Sequence, residues 1–222
     1  DHLFVTEYAG LVNLAKEGIP DRKVHFVGNC MIDSLAHFRP KAAQMGTAAA
    51  LGLSPKSYVL MTMHRPSNVD AEAGLKAILS MVEGAAQHKK VVLPLHPRTR
   101  NNLEKFGLTA RLAAVRNLLL LEPQGYLEFL DLMENAAAVL TDSGGIQEET
   151  TFLQVPCLTF RASTERPVTV ELGTNILLAD LDPAAALAHL EAIFSGKTKP
   201  ATVPPLWDGR AGERIAAIIA GF

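Results

Sequence analysis

Seven short runs along the chain are apolar almost from end to end, at residues 24–27, 58–62, 91–95, 118–121, 138–141, 157–160 and 175–178. A strand with one wet face alternates polar and apolar residues. A strand that does not alternate is covered on both faces, as in a parallel sheet enclosed by helices. The intervening stretches supply those helices. Residues 70–87 form one, with Asp70 placed as its N-cap. Residues 125–135 carry Tyr126, Phe129, Leu130 and Met133 at helical spacing. Residues 145–153 form another, and Asp182-Pro183 opens a helix running to residue 194 with a cap and a first-turn proline. Strands alternating with helices imply right-handed crossovers. The expected fold is α/β, a Rossmann-like, doubly wound, mainly parallel sheet. Residues 195–205, rich in Lys, Thr and Pro, read as a linker, followed by a final helix over 208–220 with Asp208 as N-cap and Trp207 as a hydrophobic anchor.

The 222 residues suffice for one large domain, and 48% apolar with 20% charged residues is an ordinary globular composition. A net charge of −2 without a run of one sign gives no basic footprint for nucleic acid. No apolar run approaches the ~20 residues of a membrane helix. Cys30 and Cys157 have no CxxC partner and read as buried thiols of a reducing, cytoplasmic compartment. The seven histidines make no HxxxH or HExxH pair, so neither a metal site nor another cofactor is expected. The chain begins at Asp1 without a methionine, within what looks like an element, as a fragment or a processed chain would.

In a doubly wound sheet, ligands bind beyond the carboxyl ends of the strands. Polar and glycine residues cluster there: Gly28-Asn29, His64-Arg65-Pro66-Ser67-Asn68, His96-Pro97-Arg98-Thr99, Glu122-Pro123-Gln124-Gly125, Asp142-Ser143-Gly144-Gly145 and the segment 161–166. Gly28, His64, His96, Gln124 and Ser143 are therefore expected along one edge of one sheet. The 142–149 segment is the strongest signal. A strand runs through Ser143, Gly144 and Gly145 directly into a helix whose free N–H groups and positive dipole end suit a diphosphate. Glu149 is placed to accept from a diol such as that of ribose. The alternative is a tight turn capped by Ser143, with the glutamates satisfying the dipole. His64 can hold a phosphate or move a proton, or be a hydrogen-bonded structural histidine. His96 and Arg65 are further candidates, although Pro97 suggests that His96 shapes its turn. Arg166 can meet a phosphate or pair with Glu165. Phe129 reads as core with its backbone near the ligand edge.

Taken in order, His-Arg-Pro-Ser-Asn-Val-Asp, His-Pro-Arg-Thr, Glu-Pro-Gln-Gly-Tyr-Leu-Glu-Phe, Thr-Asp-Ser-Gly-Gly-Ile-Gln-Glu-Glu, Thr-Glu-Arg-Pro and Gly-Thr-Asn resemble the non-hydrolysing UDP-N-acetylglucosamine 2-epimerases. Gly28-Asn29 with Asp33 fits that family's Gly-Asn-x-x-x-Asp segment. The resemblance implies a two-lobed glycosyltransferase-B-like fold with UDP-sugar in the cleft. This chain would be the C-terminal lobe: residues 1–205 the UDP-binding part, residues 206–222 a helix packing toward the missing N-terminal lobe. It further implies His64 as the active-site histidine, and Gln124, Phe129, Ser143, Gly144, Gly145, Glu149 and Arg166 as contacts to UDP. The implied reaction interconverts UDP-N-acetylglucosamine and UDP-N-acetylmannosamine by elimination and re-addition of UDP, in the supply of cell-envelope polysaccharide. Partners would be UDP, the UDP-N-acetylhexosamine and the missing lobe, with a homodimer open for the full-length protein. Many members carry glutamate where this chain has Ser67. A hydrolysing epimerase, a UDP-sugar glycosyltransferase and a non-catalytic UDP-binding module are the competing readings.

Overall fold

The computed structural model describes residues 2–221; Asp1 and Phe222, the outer ends of the two expected segments, lie outside the described residues. Among the described residues eight strands are formed: β1 (Leu3–Val5), β2 (Val24–Phe26), β3 (Tyr58–Thr62), β4 (Lys90–Pro94), β5 (Leu118–Leu121), β6 (Ala138–Thr141), β7 (Cys157–Phe160) and β8 (Asn175–Leu178). The helices are α1 (Tyr8–Lys16), α2 (Cys30–Met45), α3 (Thr47–Ala50), α4 (Pro66–Val69), α5 (Glu72–Ala86), α6 (Pro97–Lys105), α7 (Thr109–Ala113), α8 (Tyr126–Asn135), α9 (Gly144–Leu153), α10 (Pro167–Glu171), α11 (Pro183–Phe194) and α12 (Ala211–Ala220).

Strands β3 to β8 make one sheet in the order β5-β4-β3-β6-β7-β8, every neighbour parallel. The chain winds outward from β3 to β5, returns to lay β6 beside β3, and winds outward the other way. The topological switch point is therefore between β3 and β6. Both sheet faces are covered. Val59, Met61 and Leu93 pack with Leu75, Leu79 and Val82 of α5 on one face. Tyr58, Leu60 and Val92 pack with Leu35 of α2 and with Leu130 and Met133 of α8 on the other. This two-sided burial is why the strand sequences do not alternate.

One expectation of the sheet fails. Val24–Phe26 does not join it, but pairs in parallel with Leu3–Val5 in a separate two-stranded sheet. Gly28 therefore does not stand on the edge shared by His64, His96, Gln124 and Ser143. Three local readings are also corrected. Asp70 is no N-cap: Pro66 starts the short α4, and Asp70 is its C-cap and pairs with Arg98 at 2.6 Å. Helix α5 begins after Ala71 instead. The last helix begins at Ala211, and Asp208 is not its cap. The cap comes from α2, where the Asp33 carboxylate accepts from the N–H groups of Ala211 at 3.0 Å and Gly212 at 2.6 Å. Cys30 is exposed, at the first turn of α2, while Cys157 is buried. Trp207 is the anchor expected of it. Buried against Ile32 and Val168, it donates its indole N–H to the Thr6 carbonyl at 2.9 Å.

Candidate active site at the switch point

Strands β3 and β6 are in register through Thr62 and Thr141. Two residues beyond each, the chain reaches His64 and Ser143 on the same side of the sheet. Between them lies Asp142, completely buried, a residue to which the motif alone assigns no role. Its carboxylate accepts from the backbone N–H groups of His64 at 3.0 Å and Arg65 at 2.8 Å, and from the Asn68 amide at 3.1 Å. The His64 Nδ1 lies 3.0 Å from its other oxygen. Arg65 returns its Nε to the Asp142 carbonyl at 2.8 Å. Burial alone pushes the Asp142 carboxyl up, but the bonds from His64, Arg65 and Asn68 outweigh it and hold it below the usual carboxylate range. In return, the bond to Asp142 raises the His64 imidazole above its ordinary value, against burial and the nearby Arg65 charge.

The rings of His64 and His96 stand 5.3 Å apart. The two histidines are used differently. The Nδ1 of His96 accepts from the Arg98 N–H at 3.1 Å and so caps α6, which is the turn-shaping role that Pro97 suggested. Burial and the neighbouring His64 lower the His96 imidazole.

Helix α9 opens at Gly144, and Ser143 makes no side-chain cap to it. Ser143 thus stands at the N-cap position of α9 without its side chain closing a cap. A Cβ built on Gly145 would meet nothing within 4 Å. A Cβ on Gly144 would lie 2.9 Å from Nη1 of Arg166 and 3.6 Å from Nη1 of Arg161. Two guanidinium groups thus sit at this helix N-terminus. Arg166 was expected there. Arg161 was not singled out, yet only 9% of its side chain is exposed, and it forms a bidentate pair with Glu165 at 2.6 and 2.8 Å. That pair holds the Glu165 carboxyl down to about 2. Arg166 also meets Glu165 at 3.3 Å, as the surface-pair reading had it, and its Nε lies 3.0 Å from the buried Glu148. The other oxygen of Glu148 takes the Asn29 amide at 2.9 Å. The Gly28-Asn29 turn therefore reaches the site through Glu148, although its strand lies in another sheet.

Glu149, 7% exposed, lies one residue further along α9. Burial pushes its carboxyl up to about 7, with the Tyr126 hydroxyl opposing and Glu148 adding. Burial and Glu149 push the Tyr126 phenol up to about 12 in turn. Tyr126 begins α8, which packs on α9, and so Glu149 is brought to the Gln124-Gly125 turn. Gln124 bonds its amide to the Glu122 carbonyl at 2.7 Å. The Phe129 ring packs into the core, and its N–H is used within α8, on the Gly125 carbonyl at 2.9 Å. The Gly-Thr-Asn segment is structural. The buried Asn175 bonds Gln147 at 3.0 Å and Thr159 at 2.7 Å, and Gln147 takes Thr164 at 2.7 Å, fixing the 161–166 loop against α9. Among the described residues no group of three or more His, Cys, Asp or Glu could hold a metal ion, and no helix is long and apolar enough to cross a membrane.

A doubly wound parallel sheet with a histidine, a glycine-opened helix and two arginines at its switch point places the chain among Rossmann-like α/β folds. The family model described as UDP-N-acetylglucosamine 2-epimerase matches residues 1–220, and the chain belongs to that family. It is 38% identical, over 98% of its length, to the UDP-N-acetylglucosamine 2-epimerase of Methanocaldococcus jannaschii. It is 34% identical, over 99% of its length, to the UDP-2,3-diacetamido-2,3-dideoxy-D-glucuronate 2-epimerase of Pseudomonas aeruginosa. The crystal structure of the M. jannaschii enzyme in complex with UDP-GlcNAc and UDP superposes with a TM-score of 0.86 at 36% identity over the whole chain. These relatives are named as epimerases, a class of isomerase. The chain spans 60% of the length of each of the two curated relatives and 61% of the solved chain.

Proposed function

We propose that this chain is the UDP-binding, C-terminal lobe of an enzyme that interconverts UDP-N-acetylglucosamine and UDP-N-acetylmannosamine by eliminating and re-adding UDP. The observation that carries this reading is the pairing of His64 with the open N-terminus of α9 on adjacent strand ends, in a chain of this family. Gly144 and Gly145 let the diphosphate approach the helix N–H groups, Ser143 adds a hydroxyl, and Arg166 supplies charge. Glu149 accepts from the ribose diol, and the turn from Gln124 to Phe129 faces the base. Departure of UDP builds negative charge on the diphosphate, and these donors stabilise it without rearrangement. His64 moves or holds a proton at the edge of the sugar site. The sugar's C2 proton needs acid and base groups that this lobe does not supply, and they belong to the second lobe.

In this reading β1, α1 and β2 go with the second lobe, as does α12. Helix α1 has no buried residue and α12 only Ala211, although both are largely apolar. A two-stranded parallel sheet is also marginal by itself.

The test is calorimetry of the 222-residue chain with UDP, in chelator. Binding without a divalent cation supports the proposal. No binding at millimolar UDP by folded protein overturns it. Titrating the UDP sugars of the two relatives separates the nucleotide contribution, expected to be common to both, from that of the sugar.

A further inference from the structure

His64 and His96 face each other with their Nδ1 atoms in opposite roles. The Nδ1 of His64 meets a carboxylate oxygen of Asp142 at 3.0 Å, and an ionised carboxylate only accepts. Nδ1 must therefore carry the proton. The Nδ1 of His96 receives the backbone N–H of Arg98, so in the neutral ring the proton sits on Nε2. A histidine's tautomer is set by the bond its other nitrogen makes.

We infer that Asp142 is a positioning residue that locks His64 as the Nδ1–H tautomer, leaving a bare Nε2 as the proton acceptor at this strand end, while His96 beside it is held as the opposite, Nε2–H tautomer. This rests on the epimerase reading for its chemistry but not for its geometry. Asp142 is suited to the task because it is completely buried and its own orientation is fixed. The same carboxylate ties down the His64 and Arg65 backbone and the Asn68 side chain, and Asn68 is held in turn by the Phe160 carbonyl at 3.2 Å. The ring cannot flip without breaking a buried charge-assisted bond. Among the described residues no hydrogen bond reaches Nε2 of His64, and its side chain is 37% exposed. A bare Nε2 can accept a proton, and the imidazolium so formed keeps its Nδ1–H on the Asp142 carboxylate and can give that same proton back through Nε2. Asp142 stays ionised throughout. The titratable and charged groups around His64 are Asp142, Arg65 and His96; Arg65 disfavours the His64 imidazolium, and a charge on His64 in turn lowers His96.

The experiment is nitrogen-15 NMR of histidine side chains in the unmodified 222-residue chain. Above the titration, His64 is expected as Nδ1–H with an unprotonated Nε2, and His96 as Nε2–H. An Nε2–H tautomer at His64 overturns the inference, whatever the protein binds. Asp142→Asn removes the charge, and the His64 titration should move to lower pH by more than that of His96; equal shifts or none overturn it. Should Asp142→Asn fail to fold, the tautomer of the unmodified chain still decides. In the protein restored to the length of its relatives, Asp142→Asn should lower kcat on the order of a hundredfold, the lower end of what a positioned acid or base contributes, with KM little changed. Correct tautomers without epimerisation by the restored protein would sink the epimerase reading and leave the positioning intact.

Discussion

Gly28 and Leu206 meet backbone to backbone: a Cβ on Gly28, whose φ is +89°, would lie 2.0 Å from the Leu206 carbonyl oxygen. Neither the conformation nor the contact admits a side chain. Gly28→Ala should therefore cost roughly 2–4 kcal/mol in a urea melt, from left-handed strain and displacement of the C-terminal segment. Gly145→Ala is the counterpart. Its Cβ meets nothing, so stability should stay within about 0.5 kcal/mol while UDP affinity falls. A stable Gly28→Ala, or a Gly145→Ala that binds UDP normally, would contradict these assignments.

Glu149→Ala should weaken UDP far more than pyrophosphate, by roughly 1.5–3 kcal/mol, the worth of a hydrogen bond to a charged group. Equal losses would mean that Glu149 supports the phosphate loop.

The same carboxyl gives a pH signature. Its folded value, about 7, is raised above the ordinary 4.5. Its contribution to stability is then complete below pH 4.5 and is lost as pH rises through about 7. Binding runs the other way, because an ionised carboxylate accepts from a diol better than its acid. Between pH 6 and 8, UDP affinity of the unmodified chain should rise relative to that of Glu149→Gln. Parallel profiles would remove Glu149 from the ribose.

The 222-residue chain alone should not epimerise UDP-N-acetylglucosamine. An open half-cleft lets the eliminated intermediate escape into water before UDP re-adds. The measurement is turnover in deuterated water, following label at C2 and free UDP. In the protein restored to the length of its relatives, His64→Ala should cut turnover on the order of a hundredfold or more while UDP affinity stays nearly intact. Turnover by the short chain would show that no second lobe is required.

Asp33→Ala removes the cap that α2 lends to α12 and should cost about 1–2 kcal/mol. Trp207 is the chain's single tryptophan and packs beside that junction, so its fluorescence should shift to the red at lower urea than the loss of sheet signal. Coincident transitions would mean that the C-terminal clasp does not open by itself.

Seven of the eight strands among the described residues, five of their twelve helices and the residues at the strand ends were legible in the sequence, because burial on both faces and the chemistry of caps and glycine turns are written locally, whereas β1 and the long α2 were not read. The Asp142-to-Glu149 run announced its helix N-terminus for the same reason. Asp70 and Asp208 misled, since a good cap residue says nothing of whether a distant carboxylate such as Asp33 does the capping, or whether a proline has already begun another helix. The exclusion of residues 24–26 from the main sheet was equally invisible, because an apolar run does not name the strand beside it. Tertiary structure alone decided that β6 returns beside β3. That adjacency makes Asp142 the anchor of His64, seats Arg161 and Arg166 over Gly144, and gives two neighbouring histidines opposite hydrogen-bonding roles. Sequence determines which segments must be buried and which ends stay polar, whereas the pairing of strands far apart in the chain is settled only when the whole sheet closes its hydrogen bonds at once.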